Sequence, residues 1–87
     1  MRFGWDPAKN RINRRKHGIS FEEARTVFDD PLALSVPDPD AREERWVTVG
    51  HAESLGLLVV IHTYRETGRS EEIRLISARR PTRKERK

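Results

Sequence analysis

The run Leu57-Leu58-Val59-Val60-Ile61-His62-Thr63-Tyr64 is the one stretch of the chain that is apolar on both parities of a strand. Strands buried on both faces read this way, whereas half-buried strands alternate. It is short and β-branched, and Gly56 and Thr67-Gly68 bracket it with turn residues. The run predicts the central strand of a sheet. Its polar end carries His62, Tyr64 and Arg65 to the rim of the core.

The rest of the pattern arranges itself around that strand. Arg2 to Trp5 reads as a short strand with Phe3 and Trp5 facing an apolar layer. Asp6-Pro7 starts a helix, because Asp caps well and Pro at the first helical position loses no needed donor. This helix runs to about Lys16 and stops at Gly18, a residue suited to a left-handed cap. Ser20 and Glu23 have capping-box spacing, and Phe21, Ala24, Val27 and Phe28 form the apolar face of a second helix. Leu32 to Val36 is the next strand, followed by an exposed Pro37-Asp38-Pro39-Asp40 loop. Arg45 to His51 alternates as a strand. A turn over 52–56 pairs His51 with Leu57 and Trp46 with His62. Trp46, Thr48, His62 and Tyr64 then share one face; the more apolar face, Val47, Val49, Val59 and Ile61, is the expected floor for the helices. A last strand spans 72–80, and Thr82 with Glu85 predicts a short C-terminal helix. The order predicts one α+β domain over 1–87, with both helices on one face of a mostly antiparallel sheet.

Composition narrows the function. At 87 residues the core is modest, and with no cysteine neither a disulfide nor a thiolate zinc site can supplement it. That fits a reducing cytoplasm. No apolar stretch approaches the roughly 20 residues of a membrane span. Charge is segregated: 1–20 carry +5, 21–57 carry −6 and 58–87 carry +5. Two basic blocks suit a polyanion, either nucleic acid or an acidic protein.

No phosphate-binding glycine loop, zinc spacing or nucleophile elbow is present, so no cofactor or metal is expected. What remains is cationic and imidazole chemistry beside a Trp and a Tyr, a set suited to RNA. Cleavage by an internal 2′-OH needs a base, a cation on the phosphorane oxygens and an acid for the leaving oxygen. Arg65, Arg79 and Arg80 are the candidates for the phosphate. His62 is the candidate for proton transfer, with His17 as its rival. Lys9, Arg14 and Lys16 are candidates for the RNA backbone, and Trp46 and Tyr64 for stacking. A non-catalytic nucleic-acid-binding module or transcriptional regulator, or an adaptor for an acidic protein, would use the same basic blocks.

The string Phe3-x-Trp5-Asp6-x-x-Lys9-x-x-x-Asn13-x-x-Lys16-His17-Gly18-Ile19-x-Phe21-x-x-Ala24 resembles the opening signature of the BrnT toxin family. Ile73-Arg74-Leu75-Ile76-Ser77-Ala78-Arg79-Arg80 with Arg83 and Glu85 resembles its closing motif, and Glu44-Arg45, Gly50 and Arg65 fall at matching places. The resemblance implies a RelE-like α+β toxin that cuts RNA and is neutralised by a BrnA-like, DNA-binding antitoxin. Family members usually continue the last helix further, often to an aromatic residue, whereas this chain stops at Lys87.

Overall fold

The computed structural model describes residues 2–39, 44–68 and 70–83. The elements are β1 (Arg2–Gly4), α1 (Pro7–His17), α2 (Phe21–Ala24) running into a 3₁₀ turn (Arg25–Asp29), β2 (Leu34–Pro37), β3 (Trp46–Ala52), β4 (Gly56–Thr67) and β5 (Ser70–Arg79). The five strands form one sheet in the order β1-β5-β4-β3-β2. Only β1 runs parallel to its neighbour, pairing with β5 over 72–74. The β3–β4 register is the one the turn length dictates, with His51 opposite Leu57 and Trp46 opposite His62.

Both helix starts follow their cap chemistry. Asp6 accepts from the Ala8 N–H, and Ser20 and Glu23 close a reciprocal capping box. Gly18 ends α1 at φ 72, where a Cβ would be strained.

The expectation that both helices lie on one face is corrected in part. Residues 25–29 form a 3₁₀ turn in place of continued α-helix, and this turn packs on β3. α2 packs on β5, and α1 is fixed to β5 where β1 no longer covers it. There the Ala78 N–H donates to Asn13 Oδ1 (3.1 Å), and Asn13 Nδ2 donates to the Ala78 C=O (2.9 Å). The same amide donates to the Ile19 C=O (2.9 Å), so one buried side chain ties α1, the inter-helix turn and β5 together.

The face assignment is also corrected. The core joins Ile19, Phe21, Ala24 and Val27 to Ala52, Leu58, Val60, Ile73, Leu75 and Ala78. Thr48, Gly50 and His62 therefore lie on the helix-covered face, and Val47, Val49, Val59 and Ile61 on the other. Gly50 explains why the less apolar face of β3 is the covered one. A Cβ there would stand 2.8 Å from Ala33 Cβ and 3.0 Å from Val27 Cγ1. The 3₁₀ turn approaches β3 closely only because small residues line it. On the opposite face Val59 is still fully buried, so β4 is apolar on both parities for a physical reason. At the sheet edge, Leu34 and Val36 are 73% and 56% exposed. Of the expected C-terminal helix, Pro81 and Thr82 are irregular and Arg83 is in a turn. Residues 84–87 lie outside the described residues.

Gly50→Ala should destabilise the fold by about 1–3 kcal/mol through overpacking. Urea denaturation checks this, and a variant as stable as the parent would mean that the turn does not press on β3.

Candidate RNA-binding trough

β5 carries a bulge. Ile61 pairs Ser77 and His62 pairs Leu75, leaving Ile76 without a partner residue on β4. A bulge re-aims a side chain. Ile76 faces a furrow between α1 and the sheet, where it borders two adjoining cavities. The first, about 360 Å³, is lined by Lys9, Glu44, Arg45, Thr63, Tyr64, Arg65, Arg74 and Ile76. The second, about 220 Å³, is lined by Lys9, Ile12, Asn13, Lys16, His17, Ile76 and Ser77. A third of about 440 Å³ continues past Lys16 and His17 to Arg79, Arg80 and Thr82. Shared walls make the three one trough. It gathers seven Lys/Arg side chains and one histidine.

Six of the residues singled out in the sequence for chemistry or RNA contact line this trough: Lys9, Lys16, His17, Arg65, Arg79 and Arg80. Tyr64 borders it too, with its ring edge-on to Trp46 at 5.4 Å. Trp46 is half-buried on the helix-covered side and lines none of the three cavities. Arg14 faces another way and lines a separate cationic surface with Arg11 and Arg15. Arg65 pairs with Glu72 and Arg79 with Val59, so the two stand six residues apart along the ladder. At about 3.3 Å per residue that is roughly 20 Å. That separation is too large for both to hold one phosphate.

His62 is corrected. It is fully buried and sits edge-to-face between Phe28 (4.8 Å) and Tyr64 (5.0 Å). Its Nε2 shares a hydrogen bond of 2.6 Å with Thr48 Oγ1, which bonds Ser35 Oγ at 2.6 Å. Nδ1 finds no partner among the described residues. Burial lowers the imidazole pKa from 6.5 to about 4, partly opposed by the Thr63 backbone. Burial thus favours the neutral imidazole. His51 is tied at the far end of β3, its N–H donating to Asp30 Oδ2 at 2.8 Å.

Sequence reading passed over Arg74, Arg45, Glu44 and Thr63 as site residues. Arg74 did carry a signal: it sits between the buried Ile73 and Leu75 in an internal strand, where a charge requires a purpose. Among the described residues, no three His, Cys, Asp or Glu stand close enough to hold a metal ion. No described helix is long and apolar enough to cross a membrane.

Fold and trough together define a small α+β protein with a continuous cationic furrow, the architecture of a domain that handles polyanions. Residues 5–85 match the family model described as the ribonuclease toxin, BrnT, of a type II toxin-antitoxin system, and the chain belongs to that family. Its fold is similar to the 1.1 Å crystal structure of the Brucella abortus ribonuclease toxin BrnT, with a TM-score of 0.68 and 26% identity. That match covers 95% of this chain and 99% of the other. No curated protein sequence matches the chain.

The buried imidazole sets an acid sensitivity. The unfolded chain takes up a proton near pH 6.5, whereas the folded one does so only near 4. This contribution is fully present above 6.5 and is lost as pH falls toward 4, by up to about 3 kcal/mol. His62→Leu should flatten stability against pH across that window, as urea midpoints would show. An unchanged slope would assign the sensitivity to other groups.

Proposed function

We propose that this protein is a RelE-like endoribonuclease toxin that cuts RNA in the cytoplasm without a metal, by attack of the RNA's own 2′-OH on the adjacent phosphate. The observation that carries the reading is the trough. It is long, open and cationic, as a single-stranded backbone requires, and it has an aromatic rim at Tyr64. Such a reaction needs no protein nucleophile; it needs a cation on the developing phosphorane charge and groups that move two protons. Arg65, Arg79, Arg80, Lys9, Lys16 and His17 are the substrate-facing groups in this reading, and His62 supports the fold behind them.

A type II toxin implies a protein that silences it. We assign that role to a BrnA-like, DNA-binding antitoxin that lays acidic and apolar side chains along the same trough. Association should be salt-sensitive, because like-signed patches steer and hold an oppositely charged partner. Gel filtration of the co-expressed pair at low and at raised salt checks this. Only free toxin at both would reject the partner.

For the reaction, three outcomes are expected on a defined RNA. Chelator leaves cleavage intact, a 2′-deoxy substitution at the cut site stops it, and the upstream fragment ends in a 2′,3′-cyclic phosphate or the 3′-phosphate derived from it. Mass spectrometry reads the ends. A 3′-hydroxyl, or activity restored only by magnesium, would contradict the mechanism. Binding with no cleavage of any RNA would favour a non-catalytic nucleic-acid-binding module.

A further inference from the structure

The trough is not uniform along its length. One end brings Lys9, Arg45, Arg65 and Arg74 around a single cavity. Glu44 lines that cavity too, whereas the other two sections are lined by no carboxylate among the described residues. Thr63, in the wall of the same cavity, has its Oγ1 buried with no hydrogen-bond partner among the described residues. An unsatisfied buried hydroxyl costs free energy. Three guanidiniums around one cavity suit an oxygen-rich anion that accepts from them. Arg74 already leans on Glu72 at 3.9 Å, a distance that leaves most of its donors for a ligand.

Sheet order adds direction. Thr63 and Arg65 lie on β4, which runs between β5 and β3. Lys9 comes from α1, packed on the β5 side. Glu44 comes from the segment that leads into β3. The carboxylate and the ammonium therefore enter from opposite sides of Arg65 and Arg74, with Arg45 on the carboxylate's side. In-line displacement at phosphorus needs its base and acid on opposite sides of the phosphate, with the cations between them.

We propose that the scissile phosphate sits at the Arg45–Arg65–Arg74 end of the trough, with the Glu44 carboxylate as base and the Lys9 ammonium as acid. This rests on the ribonuclease reading above. The 2′-OH gives its proton to Glu44 as its oxygen bonds to phosphorus. The P–O5′ bond breaks, and the departing 5′-oxygen takes a proton from Lys9. Arg45, Arg65 and Arg74 hold the non-bridging oxygens, on which the added charge collects. The products are a 2′,3′-cyclic phosphate and a 5′-hydroxyl, and solvent returns the proton from Glu44 to Lys9. Lys16, His17, Arg79 and Arg80 then bind the neighbouring backbone.

The test is steady-state cleavage of a fluorescent RNA by wild type, Glu44→Gln, Arg74→Ala, Arg74→Lys and Arg79→Ala. Circular dichroism confirms that each variant is folded. Glu44 is exposed outside any regular element, so its substitution spares the core. Glu44→Gln should lower kcat by about a hundredfold or more at nearly constant KM. Arg74→Ala should lose a similar factor, which Arg74→Lys recovers only in part. Arg79→Ala should act mainly on KM. Wild-type cleavage that Glu44→Gln leaves unchanged, or a kcat loss confined to Arg79→Ala, overturns this placement and leaves the ribonuclease reading standing. A wild type that cleaves nothing overturns both.

Discussion

One carboxamide holds this architecture in place. β1 covers β5 only over 72–74, and further along Ala78 presents a backbone N–H and C=O that need partners. Asn13 supplies both, matching a peptide group with its own amide, and uses its second N–H on the Ile19 carbonyl. All three bonds are buried, where an unpaired polar group costs about 1–3 kcal/mol. Asn13 thus fixes the distance and rotation of α1 against β5. Lys9, Lys16 and His17 lie on the flank of α1 so presented, and Arg74, Ile76 and Arg79 on the strand opposite. The walls of the trough follow from that one contact together with the bulge that turns Ile76 inward.

The same geometry makes the trough electrostatically costly. Two like charges 8 Å apart at an effective dielectric of 20 repel by about 2 kcal/mol. A protein that gathers seven Lys/Arg in one furrow gives up stability for a surface that a polyanion relieves. Among the described residues that line it, Glu44 is the one carboxylate. Asp30 is engaged with the His51 N–H, and Glu23 with its cap.

Local signals were legible in the sequence. Both helix starts, the Gly18 stop and the β3–β4 register follow from residues close in the chain, and the structure has them. The family signature was legible too. Non-local choices were not. Which face of β4 meets the helices turns on Gly50, whose smallness admits Ala33 and Val27, and composition favours the other face. That inversion buried His62. The bulge at Ile76 has no local signature, so the convergence of Arg74 with Arg45 and Lys9 could not be seen before the strands were paired. Arg79 and Arg65 looked like one site because they share a strand-end character; the pairing sets them at opposite ends.

Whether RNA lies in the trough is read most directly by an amide chemical-shift titration with an RNA oligonucleotide carrying 2′-deoxy sugars, bound but uncut. Shifts should run along Lys9, Lys16, Arg65, Arg74, Ile76 and Arg79, with β2 unmoved. Shifts concentrated at the exposed Leu34–Val36 edge, with the α1–β5 furrow silent, would contradict it.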